Sequence, residues 1–204
     1  MIQVNGDYFI GNMVSDFVEG YGKYVTKDGA VYEGNWEKDK HHGTGVEKWP
    51  DGSRFEGDFV LGEKNGKGYF TWADGSSYQG SFKGGKFEGP GIYIWGNGRK
   101  YDGEWKAGKM HTYGTMTWPN GAKYEGEFFF DKRHGHGEMS WENGKVYVGS
   151  WYEGKQHGYG SVKSAGENSK PVKGEWVEGK RSKWLTEMDS TSTINSGNSD
   201  ENVK

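Results

Sequence analysis

The stretch Tyr147-Val-Gly-Ser-Trp-Tyr-Glu-Gly-Lys-Gln-His-Gly-Tyr-Gly160 decides how this chain is read. Its first five residues recur as Tyr32-Glu-Gly-Asn-Trp36, Phe55-Glu-Gly-Asp-Phe59, Tyr78-Gln-Gly-Ser-Phe82, Tyr101-Asp-Gly-Glu-Trp105 and Tyr124-Glu-Gly-Glu-Phe128, at a constant spacing of 23 residues. Phe9-Ile-Gly-Asn-Met13 stands one period before Tyr32, and Val172-Lys-Gly-Glu-Trp176 follows Tyr147 by 25. The chain reads as seven complete units and a truncated eighth. A period of about 20–50 residues marks a stacked array of small units, none of which buries a core alone.

Count the start of each unit as offset 0. Glycine then stands at offset 2 in every copy and an apolar residue at offset 4, while the odd offsets are mostly polar. This period-2 alternation is a strand with one buried face. Offsets 5–10 read as a turn rich in Gly, Asp and Lys, such as Lys106-Ala-Gly-Lys-Met-His111. A second strand follows, Gly-x-Gly-x-x-x-Trp, with tryptophans at Trp49, Trp72, Trp95, Trp118 and Trp141. Asp-Gly or Asn-Gly closes the unit, as in Asp51-Gly52 and Asn120-Gly121. Both residue types tolerate positive φ, which makes these pairs a strong hairpin signal. If offset 2 faces offset 13, then offsets 0, 2, 4, 11, 13, 15 and 17 share a face on which rings lie against glycines. The predicted fold class is all-β: an elongated, twisted, single antiparallel sheet of consecutive β-hairpins, with roughly fourteen strands.

Composition agrees with a thin core of rings. Hydrophobic residues are 31% of 204, against 37 glycines, 10 Trp, 13 Tyr and 10 Phe. A net charge of −3 provides no global basic field for nucleic acid, and none is expected as a partner. The absence of cysteine excludes disulfides and Cys-ligated zinc. No apolar run approaches the ~18 residues of a membrane-spanning helix, and the first residues lack the pattern of a signal peptide. The expected location is cytoplasmic. Residues 1–8 read as a cap segment, 9–185 as the array and 186–204, rich in Ser, Thr, Asn and Asp, as a disordered tail.

The pattern Tyr-x-Gly-x-Trp-x-x-Gly-Lys-x-His-Gly-x-Gly, closed by Asp/Asn-Gly, resembles the MORN repeat (membrane occupation and recognition nexus) over roughly residues 6–185. The resemblance implies a ribbon of successive hairpins. It also implies scaffolding, protein binding, self-association and, in some members, phospholipid binding. The arrangement is loosely similar to stand-alone MORN proteins of the radial spoke head type, which implies a cytoskeletal, ciliary or axonemal setting. Departures occur: Thr112 replaces a glycine, 164–171 breaks register, and the eighth unit ends at Trp184-Leu185 without its second strand.

Chemistry finds little footing. His42, His111, His134 and His157 share offset 10, but equivalent atoms in adjacent units stand roughly 10 Å apart, too far to share a metal ion. There is no cysteine nucleophile, no Gly-x-Ser-x-Gly elbow and no phosphate-binding Gly-x-x-x-x-Gly-Lys-Ser/Thr loop. The expectation is a non-enzymatic scaffold or adaptor without cofactor or metal. Its partner is expected to be an extended or helical segment of another protein, lying on the ring face near Tyr78, Phe82, Tyr101, Trp105 and Tyr124. The alternatives are a phosphoinositide-associated tether and a regulatory module for an enzyme on another chain. A lipid would meet the mildly basic turn edge of Lys106, Lys109, Lys132, Arg133, Lys155, Lys180 and Arg181.

Overall fold

The computed structural model describes residues 6–166 and 168–186. The expected cap therefore lies partly, and the expected disordered tail almost wholly, outside the described residues. The chain divides into two compact units, 1–119 and 120–204. In the first, the strands are β1 (Tyr8–Val14), β2 (Phe17–Val25), β3 (Val31–Glu37), β4 (Lys40–Lys48), β5 (Arg54–Val60), β6 (Glu63–Thr71), β7 (Ser77–Lys83), β8 (Lys86–Ile94), β9 (Lys100–Lys106) and β10 (Lys109–Thr117). The second contains β11 (Lys123–Phe129), β12 (Lys132–Ser140), β13 (Val146–Tyr152), β14 (Lys155–Lys163), β15 (Val172–Val177) and β16 (Lys180–Trp184). No described residue is helical. Strand order in the sheet is chain order, and within each unit every connection is an antiparallel hairpin. Sixteen strands stand where about fourteen were expected. One of the additions is β16, a short second strand in the eighth repeat, which the sequence reads as ending without one.

The predicted register holds. In the first seven repeats the glycine of the first strand pairs with the second glycine of its own second strand, as in Gly34↔Gly45 and Gly80↔Gly91, whereas Gly174 of the eighth faces Trp184. The same first-strand glycine pairs on its other side with the second-strand glycine of the preceding repeat, as in Gly22↔Gly34 and Gly68↔Gly80. These rows leave room for the rings. A Cβ on Gly91 would lie 2.4 Å from the Tyr78 hydroxyl oxygen and 2.7 Å from its ring.

Past that glycine pair the register shifts. Gly34 faces Gly45, yet Trp36 faces His41, so Asn35 alone stands against three residues of the partner strand. Such a bulge needs a left-handed residue. Offset 11 supplies it, with φ of 59° at Gly43, 91° at Gly66 and 67° at Gly89. This glycine therefore serves the backbone and not, as the sequence had implied, the rings. Thr112 adopts the same φ of 60° without being glycine.

The turns are tighter than the sequence indicated. Each hairpin closes on two left-handed residues, such as Lys38 (47°) and Asp39 (65°) or Gly84 (56°) and Gly85 (71°). Those are the signs of a type I′ turn, whose twist suits the flanking strands. The Asp/Asn-Gly connections are longer. The Trp49 N–H donates to Ser53 O at 2.9 Å, and the Gly52 N–H donates back to Trp49 O at 3.0 Å.

The core is one row of rings in each unit. Tyr78, Tyr101, Tyr124, Tyr147 and Phe55 are 0% exposed. Within the units, opening rings meet the closing rings of their own repeat and of the next edge-on: Phe55 lies 5.2 Å from both Phe59 and Phe82, and Tyr147 lies 5.4 Å from Trp151 and 5.0 Å from Trp176. This edge-to-face geometry is the one aromatic quadrupoles favour. The polar tips are satisfied as well. The Tyr78 hydroxyl donates to Ser81 O at 3.0 Å, and the Trp105 indole N–H donates to Gly91 O at 3.1 Å.

Candidate functional site

The five ring-face residues expected to meet a partner divide between the two units. Tyr78, Phe82, Tyr101 and Trp105 belong to residues 1–119 and Tyr124 to residues 120–204. All are buried, at 0%, 4%, 0%, 6% and 0% exposure. They form the floor of the ring face, and their surfaces are spent on neighbouring rings and glycines.

Other rings on that face reach solvent. In residues 1–119 a half-buried ladder runs over the floor. Trp49 stacks on Phe70 at 5.3 Å, Phe70 on Trp72 at 4.3 Å, Trp72 lies 5.3 Å from Tyr93, and Tyr93 lies 4.6 Å from Trp95. The tryptophans of the second strands are thus half-covered, not core. Trp49, Trp72, Trp95 and Trp141 are each held by the three-residue loop that follows, through backbone hydrogen bonds in both directions.

The bulge brings a further position to this face, offset 9, which the sequence reading had assigned to the turn. Residues directly opposite in an antiparallel pair point the same way. His41, Lys64, Phe87 and Arg133 therefore sit beside the closing rings Trp36, Phe59, Phe82 and Phe128. His41 stacks flat on Tyr32 at 3.5 Å, and Phe87 stacks flat on Tyr78 at 3.7 Å. The Lys64 ammonium lies 4.8 Å from the Phe55 ring, 5.1 Å from Trp49 and 5.5 Å from Phe59, and it binds the Glu47 carboxylate. The Arg133 guanidinium lies 4.3 Å over Trp151 and donates to Gly154 O at 2.8 Å. Burial lowers the pKa of Arg133, and the nearby Tyr124 opposes that shift. The available signal was the left-handed glycine at offset 11, which announces a bulge and hence a change of face.

Glu47 is a half-buried acid of this surface. Burial alone would raise its pKa, but contacts with His41 and Lys64 outweigh burial and hold it below the usual value. It lies 3.4 Å from His41 Nδ1.

The expected basic edge is only partly assembled. Arg133 belongs to the ring face, and Arg181 stacks over Trp184 at 4.0 Å. Lys132 pairs with Glu153, and Lys155 pairs with Glu178 at 2.7 Å. Lys106, Lys109 and Lys180 are exposed. The offset-10 histidines remain apart, and no group of three His, Cys, Asp or Glu able to hold a metal exists among the described residues. No helix among them is long and apolar enough to cross a membrane.

The glycine pairs, the bulge and the ring row recur with a period that one sequence family accounts for. The MORN repeat profile matches residues 9–31, 32–54, 55–77, 78–98, 101–123, 124–146, 147–165 and 173–182. This chain belongs to the MORN repeat family. Seven of the eight MORN matches start where the sequence placed a unit, and the last starts one residue later. No curated protein matches the chain. Among solved structures, it is similar to the SAS-4 (dCPAP) TCP domain of Drosophila melanogaster in complex with a proline-rich motif of Ana2 (dSTIL). The identity is 11%, the TM-score 0.49, and the match covers 83% of this chain and 90% of that one. The TCP10 domain of Danio rerio CPAP in complex with a STIL peptide matches at 13% identity and a TM-score of 0.31, over 73% and 76%. At TM-scores below 0.5 these likenesses bear on neither fold detail nor function.

Proposed function

We propose that this MORN array is a non-enzymatic scaffold or adaptor that binds an extended or helical segment of another protein along its ring face, in a cytoskeletal or axonemal assembly. One observation carries the reading: the half-buried ladder Trp49–Phe70–Trp72–Tyr93–Trp95 on a rigid floor of buried rings. Rings held by packing lose little entropy on binding, and large aromatic residues dominate protein-interface energetics. Tyr78, Phe82, Tyr101 and Trp105 set the shape of that floor, and Tyr124 does so in its own unit. The ion pairs Lys132–Glu153 and Lys155–Glu178 weigh against a phospholipid at the turn edge, because they neutralise part of the charge such binding requires.

Affinity capture from the cell of origin, read by mass spectrometry, tests this with two variant sets. Trp72→Ala and Tyr93→Ala, checked first for unchanged thermal unfolding, should lose the partner that the parent chain retains. Lys132→Glu and Lys155→Glu should keep it. Loss of the partner on charge reversal, with retention by the ring variants, would move recognition to the turn edge and overturn the reading.

A further inference from the structure

We propose that the ring face of the first two repeats contains a pocket for one lysine side chain of the partner polypeptide. This deepens the reading that the ring face binds protein. A cavity of about 460 Å³ opens there, with Tyr24, Tyr32, Trp36, Trp49, His41 and Glu47 in its wall.

The chain itself shows what such a frame accommodates. One repeat on, the Lys64 ammonium occupies a cage of Phe55, Phe59, Phe70 and Trp49, at 4.8, 5.5, 5.9 and 5.1 Å from the ring centroids, with Glu47 as its counterion. The cavity repeats half of that frame 23 residues upstream, with Tyr32 in place of Phe55 and Trp36 in place of Phe59, while Glu47 stands at the position of Phe70 and Thr26 at that of Trp49. Tyr24 contributes the further ring, and Glu47 is shared between the two frames. The difference is the offset-9 residue. Lysine extends over the rings, whereas the imidazole of His41 lies flat on Tyr32, 3.5 Å away and tilted by only 4°. It has no stem with which to place a charge between Tyr24, Trp36 and Trp49.

Asp39, Glu47 and Lys48 line the cavity, and Glu47 already pairs with Lys64, so what a cation meets here is a local acceptor and not a net negative charge. Glu47 Oε2 is taken by Lys64, while Oε1 faces His41 Nδ1 at 3.4 Å, an oxygen that can accept from an incoming ammonium. Aromatic faces attract a cation, and more strongly where it is partly desolvated. The side chain of Glu47 is only 17% exposed, so the counterion sits where screening is reduced.

The test uses the full chain, labelled with ¹⁵N, and two acetylated pentapeptide amides, Gly-Ser-Lys-Ser-Gly and the same peptide with norleucine in place of lysine. Norleucine keeps the stem and loses the charge. The lysine peptide should shift the Trp36 and Trp49 indole signals with an affinity about tenfold above that of the norleucine peptide. Glu47→Gln should weaken lysine binding severalfold. Because that change also disturbs Lys64, a second variant is needed. His41→Lys should place the chain's own ammonium in the cage, preserve the fold as Lys64 does one repeat on, and abolish the peptide shifts. Equal shifts from norleucine, or undiminished lysine binding by His41→Lys, would overturn the proposal. The capture experiment above turns on Trp72 and Tyr93, outside this pocket, so failure of one reading is distinguishable from failure of the other.

Discussion

Thr112 is the residue at which this chain departs most from its own pattern. Its φ of 60° is one that a β-branched side chain adopts at a cost, and six other repeats place glycine there. Thr112→Gly should therefore stabilise the fold by roughly 1 kcal/mol, the low end of the left-handed penalty, as read from the midpoint of urea unfolding. The opposite holds at Gly91. Its Cβ would press on the buried Tyr78 ring at 2.4–2.7 Å, so Gly91→Ala should cost about 1–3 kcal/mol, as overpacking does. The tyrosines of the floor link stability to alkaline pH. Burial raises the Tyr147 phenol from 10.0 to about 12 and moves Tyr32 and Tyr78 in the same direction. A pKa raised in the folded state contributes stability that is whole below the unfolded value and is lost as pH rises through the folded one. Stability should therefore fall between pH 10 and 12, and the fall should be shallower in Tyr147→Phe, measured by urea unfolding across that range. Tyr101→Phe should likewise lower stability. The Tyr101 hydroxyl donates to Glu104 O at 3.0 Å, and losing that bond costs about 1 kcal/mol.

At the scale of the element, the bulged second strand is the inventive part of the repeat. A regular hairpin would keep one register from turn to turn. The left-handed residue at offset 11 resets it, and offset 9 moves onto the ring face, where residue type varies between repeats while the rings barely do. Arg133 and Lys132 separate the two environments within one turn. Arg133 covers Trp151 and holds Gly154 O, whereas Lys132 pairs with Glu153 in solvent. Arg133→Ala should cost roughly 1–3 kcal/mol, from a lost cation–π contact and a carbonyl deprived of its donor. Lys132→Ala should stay within about 0.5 kcal/mol, as exposed pairs usually do. Equal midpoints in denaturant for the two variants would show that the bulge does not bury offset 9 in solution.

At the scale of the molecule, stability is a chain of nearest-neighbour contacts. Phe55 touches the closing rings of its own repeat and the next. Arrays of this kind unfold as coupled repeats, and fragments of several repeats can stand alone. Residues 1–119 expressed by themselves should keep a β-sheet circular dichroism spectrum and the near-ultraviolet signal of packed tryptophans. A random-coil spectrum would show that this compact unit depends on the remainder of the chain.

The repeat, its 23-residue length, the hairpin and the Gly–Gly register were all legible from the residues, because strand alternation and ring-on-glycine packing are local rules that every copy must obey. Tyr78 and Trp105 could be assigned to the inner face on that basis alone. Which rings remain open to a partner could not. That depends on how far each ring is covered by the repeats beside it, and this coverage buried Tyr78, Phe82, Tyr101 and Trp105 while leaving Trp72 and Tyr93 half-exposed. Nor could the sequence place His41, Lys64 and Arg133 among the rings. Their face is set by a two-residue shift within the hairpin, a property of the paired backbone and not of either strand read alone.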